Sequence, residues 1–298
     1  MEKEINKNLE NNQSFIVNDK HIFFRKIYNI LFKTSIILFS IISIIPLFLI
    51  LFYVLQKGIT AIDWDFFVKL PKPVGVEGGG ISNAIIGTFL IILMSSLMSV
   101  PLGVGTGIFL SEYQNSKLAY VVRLFVEVLQ GVPSIVMGII AYLWVVRPMG
   151  IFSGFSGAIA LGMMMLPVII KNTEETLKLI PHSLKEASMS LGVPYYKTIL
   201  KVVLPSSISG IVTGVLIGIA RIAGETAPLL FTAFGNPFMN LNIFKPMNSL
   251  SLLIFNYATS PYQDWHRIAW GASLFLIVFV LFTNLVANGV AKKWKVEF

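Results

Sequence analysis

The stretch EASMSLGVPYYKTILKVVLP, from Glu186 to Pro205, lies between two apolar runs of membrane-spanning length. Its most distinctive feature is its spacing: a Glu-Ala pair, then Ser188, Gly192 four residues later, and Val202-x-Leu204-Pro205 at the end. A charged segment between two spans belongs at a membrane surface, because charged side chains are costly inside the bilayer. The rest of the chain decides on which surface it lies.

Six apolar runs reach the length of about 20 residues that a ~30 Å hydrocarbon core requires. They are 31–55, 84–110, 121–146, 155–172, 206–234 and 268–290. Hydrophobic residues make up 55% of the 298 positions and charged residues 13%, whereas soluble domains carry roughly 25% charged residues. The composition therefore predicts an all-α integral membrane protein, with a cytoplasmic N-terminal tail at 1–30 and a transmembrane domain at 31–298.

The distribution of basic residues predicts the orientation of the spans. Lys and Arg concentrate in the N-terminal segment, in the segments after the second and fourth spans, and at the C-terminus. Cytoplasmic segments carry such an excess, so both termini are predicted to face the cytoplasm, and the Glu186–Pro205 segment with them. The net charge of +8 is thereby explained by topology, and no nucleic-acid partner is expected.

Several classes of chemistry lack their residues in this chain. There is no cysteine, and the three histidines are far apart in sequence, so neither a disulfide nor a typical metal site is expected. The phosphate-binding loop G-x-x-x-x-G-K-[ST] and the nucleophile elbow G-x-S-x-G are also missing from the sequence. We expect a non-catalytic protein without a cofactor of its own.

A charged pair occurs inside the fifth predicted span. At about 1.5 Å per residue, Arg221 lies about 24 Å beyond Pro205, past the membrane midplane. Glu225 follows at i+4, a spacing that allows an ion pair on one helix face. Gly210, Gly214 and Gly218 form a small-residue ridge that favours close helix packing, and helical spacing predicts both charges on this packing side, away from lipid. Two interpretations remain: a transient anion site, or a structural ion pair.

The Glu186–Pro205 spacing resembles the EAA loop of importer-type ABC permeases, E-A-A-x3-G-x9-I-x-L-P. Ser188 replaces the second alanine and Val202 the isoleucine. The resemblance implies a coupling loop over 182–205, with two short helices joined at the glycine, that binds a partner ATPase. The residues implied in this coupling are Glu186, Ala187, Ser188, Leu191, Gly192, Val193, Leu204 and Pro205. The implied fold is the six-helix type I ABC importer permease with a cytoplasmic coupling helix.

A narrower resemblance covers most of residues 80–290. It is carried by ARIAGETAPLLFTA at 220–233, LQGVPSIVMGI at 129–139, LPVIIKNTEETLKLIP at 166–181, SNAIIGTF at 82–89 and VPLGVGTGIFLSEY at 100–113. These stretches are similar to phosphate-import permeases of the PstA type. The similarity implies a prokaryotic inner-membrane subunit that pairs with a PstC-type permease, two PstB-type ATPase subunits that bind the ATP, and an extracytoplasmic phosphate-binding protein.

The same resemblance implies a translocation path near Arg221, Glu225, Thr226 and, more weakly, Lys171, where the family often has arginine. Lysine keeps the charge but lacks the planar donor fork of arginine. The expected function is inward phosphate transport driven by ATP. A permease for sulfate or molybdate, an ion-coupled secondary transporter and, last, a membrane enzyme with Glu225 as base are the alternatives.

Overall fold

The computed structural model describes residues 19–76 and 78–293, with side chains from residue 23. The chain divides into two units, residues 1–53 and 54–298. The first unit contains most of helix α1 (Asp19–Ile59), an apolar helix whose described side chains up to Tyr53 are exposed. Residues 1–18 of the predicted tail lie outside the described residues, and the remainder of that tail is helical.

The second unit is built from helices. They are α2 (Trp64–Val68), α3 (Ser82–Glu112), α4 (Lys117–Gly131), α5 (Ser134–Ala141), a π-helical stretch (Tyr142–Val146), α6 (Arg147–Met149), α7 (Gly154–Lys178), α8 (His182–Ser190), α9 (Tyr195–Thr198), a second π-helical stretch (Ile199–Val203), α10 (Leu204–Ala223), α11 (Ala227–Leu230), α12 (Leu250–Ala258) and α13 (Gln263–Lys293). Within 19–76 and 78–293 the only β-type pairing is one isolated bridge.

Five helical segments in the described ranges are long and apolar enough to cross a membrane, and a bent pair of helices makes a sixth when it is taken as one broken span. They are Phe23–Ile59, Ser82–Glu112, Gly154–Lys178, Tyr195–Ala223 and Gln263–Lys293, with the pair Lys117–Gly131 and Ser134–Met149. The predicted all-α architecture with six spans is thereby confirmed.

Helix α7 forms the centre of the second unit. In its most apolar stretch 72% of the residues are buried, compared with 33% in the corresponding stretch of α3. Two glycines of α3 face it: a Cβ at Gly103 would lie 2.7 Å from Ile169 Cγ2, and one at Gly107 would lie 2.5 Å from Thr173 Cβ. Glycine permits such close approach between membrane helices, so α3 and α7 pack with their backbones close together.

The third predicted span is not one straight helix. It bends by 107° between Gly131 and Ser134. Val132 is extended, with ψ of 128°, which is the conformation that a following proline imposes. Pro133 therefore divides the predicted span 121–146 into two helices.

The fifth predicted span also ends early. Helix α10 stops at Ala223, and α11 begins at Ala227 with Pro228 in its first turn. A helix continued through Pro228 would lose one hydrogen bond and bring the proline ring against the carbonyl of Gly224. The predicted span 206–234 is broken for this reason, and Glu225 lies in the link between two helices.

Candidate functional site

The predicted coupling loop folds as two short helices joined by a turn. Helix α8 ends at Ser190, and α9 starts at Tyr195 after Pro194. Gly192 in the turn has φ of +79°, a left-handed conformation that glycine adopts without a steric penalty. A Cβ on Gly192 would have open space around it. The turn therefore requires glycine for its backbone conformation and not for close packing. We call residues 182–198 the coupling segment.

The coupling segment exposes apolar side chains. Leu191 is 84% exposed and Tyr196 61% exposed. Glu186, Ala187 and Gly192 are exposed beside them, and Val193 is half-buried. Exposed apolar side chains with a charged neighbour are typical of a protein-binding surface.

Other residues predicted for coupling lie inside or beyond this surface. Ser188 is buried, and its Oγ lies 3.0 Å from Thr198 Oγ1, so it holds α8 and α9 together. Leu204 is half-buried and Pro205 exposed, both at the start of α10. A buried apolar cluster supports the segment from the membrane side; it consists of Leu177, Ile180, Ile199 and Val203.

The coupling segment is continuous with a membrane span. Tyr195–Ala223 forms one helical span, with a π-helical stretch at Ile199–Val203. Arg221 stands in its last turn. Helical backbone thus connects α9 without a break to the turn that carries Arg221.

Sequence reasoning missed the contact that fixes the coupling segment to α3. Glu112, the last residue of α3, accepts a hydrogen bond from Lys185 Nζ on α8 at 2.6 Å and another from the Tyr195 hydroxyl on α9. Lys185 and Glu112 are 73 positions apart. The sequence showed only that Glu112 is a charged residue just after a predicted span, and it did not indicate its partners.

A second ionic contact was also missed. Glu174 Oε1 on α7 accepts from Arg123 on α4 at 2.7 Å and from Lys178 at 2.6 Å. The Glu174 side chain is 8% exposed, whereas those of Arg123 and Lys178 are 31% and 37% exposed. This network ties the first half of the bent span to the central helix.

The structure does not form the ion pair that the spacing of Arg221 and Glu225 allows. The ion pairs of the described residues do not include one between them. Because α10 ends at Ala223, the i, i+4 geometry of a helix is lost. Arg221 is exposed and Glu225 half-buried, and the Ser251 hydroxyl donates to the Glu225 carbonyl at 2.9 Å. Glu225 lies beyond the last residue of α10, so helical spacing from Gly218 no longer places it on the packing face.

The glycine ridge of α10 packs against α7. Gly210 faces Thr176, Gly214 faces Asn172 and Gly218 faces Met165. The two helices therefore run antiparallel, and each glycine admits one larger side chain of α7. A Cβ on Gly214 would lie 2.5 Å from Asn172 Cβ, while one on Gly218 would lie 3.1 Å from the flexible Met165 Cγ.

This register places the two predicted path cations at different depths. Lys171 is exposed and precedes Asn172, the partner of Gly214. Arg221 lies two helical turns beyond Gly214, or about 10 Å along the axis. Thr226 lines an open cavity of about 400 Å³ near the end of α10, together with Ser251.

The sequence family agrees with this architecture. Residues 100–295 match the family described as binding-protein-dependent transport system inner membrane component. The chain belongs to this permease family. Members are components of membrane transport systems, so the chain is a multi-pass membrane subunit.

Curated relatives in the family cover most of the chain. The "Phosphate transport system permease protein PstA" of Xylella fastidiosa (strain Temecula1) is 43% identical over 244 residues, 81% of this chain and 85% of that protein. The protein of the same name from Yersinia pestis is 42% identical over 83% of this chain and 84% of its own length. The one from Pasteurella multocida is 40% identical over 91% and 97%.

Solved structures support the predicted permease fold. A chain of the MetNI methionine ABC transporter in inward-facing conformations superposes with a TM-score of 0.57 at 18% identity, over 72% of this chain and 94% of that chain. A second crystal form gives a TM-score of 0.56. The shared fold is that of an ABC importer permease, as the sequence predicted.

Proposed function

We propose that this chain is the permease subunit of an ATP-driven importer that moves inorganic phosphate into the cell. The observation that carries the proposal is the continuous span Tyr195–Ala223, which joins an exposed coupling segment at one end to Arg221 at the other. This helix connects the exposed surface that would bind the ATPase to the Arg221 guanidinium, which can bind an anion. The relatives named as phosphate permeases support the choice of substrate.

The proposed assembly contains four kinds of subunit. This chain pairs with a PstC-type permease, two PstB-type ATPases bind the coupling segments and hydrolyse ATP, and a phosphate-binding protein delivers the anion from outside. The chain itself carries no cofactor. Its termini face the cytoplasm of a prokaryotic cell, which places the coupling segment on the same side as the ATPases.

Arg221 is the proposed anion site. An exposed arginine within a span costs at least about 2.5 kcal/mol in lipid, so its exposed face is expected to meet the partner permease or a hydrated path. The planar guanidinium donates hydrogen bonds that suit a tetrahedral oxyanion. Glu225 and Thr226 follow in the link after α10, where the carboxylate limits the affinity and the hydroxyl donates to the anion.

Lys171 is the proposed second cation of the path. It lies nearer the cytoplasmic end than Arg221 by the register of α7 and α10. Two weak sites in sequence let an anion leave each one readily, whereas a single tight site would retain it. ATP binding closes the ATPase pair, draws the coupling segments together and turns the cavity outward; hydrolysis restores the inward-facing state.

The test is radiolabelled phosphate uptake into vesicles that contain the full complex, with and without ATP. Wild type is compared with Arg221→Gln at equal membrane abundance, and Arg25→Gln, an exposed arginine of α1, is the matched control. We expect ATP-dependent uptake in wild type and in the control and its loss in Arg221→Gln. Uptake at the wild-type rate by Arg221→Gln would show that Arg221 is not part of the translocation path. An assembled wild-type complex that transports sulfate or molybdate but no phosphate would overturn the substrate assignment.

A further inference from the structure

Glu112 contacts both helices of the coupling segment. Its Oε1 accepts from Lys185 Nζ on α8 at 2.6 Å, and its Oε2 accepts from the Tyr195 hydroxyl on α9. One carboxylate at the end of α3 thus fixes both arms of a segment that follows some 70 residues later. Because the two oxygens bind different helices, the contact fixes the direction of the segment as well as its distance from α3.

The ion pair between Lys185 and Glu112 is largely buried. The Glu112 side chain is 6% exposed and that of Lys185 10% exposed, whereas Asp65 and Lys69, an ion pair on α2 and at its end, are 53% and 52% exposed. Ion pairs open to water contribute little. A shielded pair costs desolvation, which is offset only when further hydrogen bonds satisfy the charges. The Tyr195 hydroxyl supplies such a bond, so the arrangement depends on all three partners.

The carboxylate bridges a gap that helix packing leaves open. A cavity of about 570 Å³ separates the α3–α4 turn from α8 and α9, and Glu112 lines it. One helical turn earlier, Ile108 of α3 packs against the apolar cluster beneath the coupling segment. Helix α3 therefore contacts the coupling segment and the cluster next to it in two places, through apolar packing at Ile108 and through hydrogen bonds at Glu112.

We propose that Glu112 is a positioning residue that makes α3 and the coupling segment move as one body. This inference rests on the proposed function, in which the segment receives the movement of an ATPase. Through Tyr195–Ala223 that movement reaches α10; through Glu112 it also reaches α3. Since Gly103 and Gly107 hold α3 tightly against α7, the central helix receives the movement from two sides.

The functional test uses the assembled transporter in vesicles, with phosphate uptake and ATP hydrolysis measured in the same preparation. In Glu112→Gln we expect ATP hydrolysis to continue while the phosphate transported per ATP falls at least about fivefold, the lower end of typical coupling between linked sites. Glu127→Gln, an exposed carboxylate on α4, is the matched control and keeps the wild-type ratio.

Charge reversal separates positioning from simple structural loss. The double variant with Glu112→Lys and Lys185→Glu restores the pair with opposite polarity and is expected to recover much of the ratio that Glu112→Lys alone loses. A proportional fall of uptake and hydrolysis in Glu112→Gln, with an unchanged ratio, would overturn the proposal. So would a double variant no better than the single one.

A second measurement does not depend on the substrate. The chain has no cysteine, so Gln114→Cys and Met189→Cys introduce two spin-label sites, one on each side of the cavity, in a complex whose other subunits are cysteine-free. We expect a narrow distance distribution in wild type and in Glu127→Gln, and a broad one in Glu112→Gln. Equal widths would overturn the proposal, even if the wild type proved not to transport phosphate.

Discussion

Replacing Gly192 with valine tests whether the turn of the coupling segment transmits force. Its φ of +79° costs an L-residue with a Cβ about 1–2 kcal/mol, and a β-branched residue is a clear outlier there. A Cβ on Gly192 would meet no neighbour within 4 Å in this chain, so a clash of that atom with the rest of the chain adds nothing. Within the chain, the substitution therefore acts through backbone strain, and the asparagine variant below controls for the added bulk at the binding surface.

The strain favours other turn conformations over the native one. A cost of about 1–2 kcal/mol shifts such an equilibrium by a factor of roughly 5–30. In those conformations α8 and α9 meet at a different angle, and the exposed Leu191 moves relative to the rest of the binding surface. We therefore expect ATP-dependent phosphate uptake by Gly192→Val to fall by at most a factor in that range, with the protein folded and inserted.

The matched variant is Gly192→Asn, because asparagine tolerates the left-handed conformation better than other residues. It adds a side chain of similar size with less strain, so uptake should stay near the wild-type rate. Gly289→Val places valine at an exposed helical glycine with open space and serves as a folding control. Uptake and stimulated ATP hydrolysis are measured in proteoliposomes. Wild-type uptake by Gly192→Val, or equal losses in the valine and asparagine variants, would refute the backbone argument.

Four further variants test the packing. Glu174→Gln should lower the unfolding midpoint of the detergent-purified complex, with a cost of about 1–3 kcal/mol because its partners are partly hydrated; no shift would contradict the ionic network. Gly214→Val should disrupt the α7–α10 contact and lower the free energy of unfolding by about 1–3 kcal/mol. Gly218→Ala should lower it much less, and the unfolding midpoints of the two variants measure the difference. The Leu250 N–H donates a hydrogen bond to Thr88 Oγ1 at 2.8 Å. Thr88→Val removes this acceptor and should lower the free energy of unfolding by about 1–3 kcal/mol. Amide hydrogen exchange in α12 should become faster.

Local patterns in the sequence were enough to predict the membrane architecture. Spans depend on the length and polarity of contiguous residues, so six were found in the correct order. The turn at Gly192 belongs to a spaced pattern within one short segment. Pro133 and Pro228 were also visible, but a proline in a membrane helix can either kink it or end it. Which of these occurs depends on the neighbouring helices that satisfy the freed backbone groups.

Tertiary structure alone decided how distant residues meet. Glu112 binds Lys185 and Tyr195 because α3 packs against the coupling segment. Glu174 binds Arg123 because α4 packs against α7. It also decided that Arg221 is exposed at the end of α10 instead of paired with Glu225. The sequence by itself determined which segments are apolar enough to span a membrane and which segment carries the spacing of a coupling loop, because hydrophobic length and residue spacing are local properties. Ion pairing and helix termination are not local: both depend on how the helices pack.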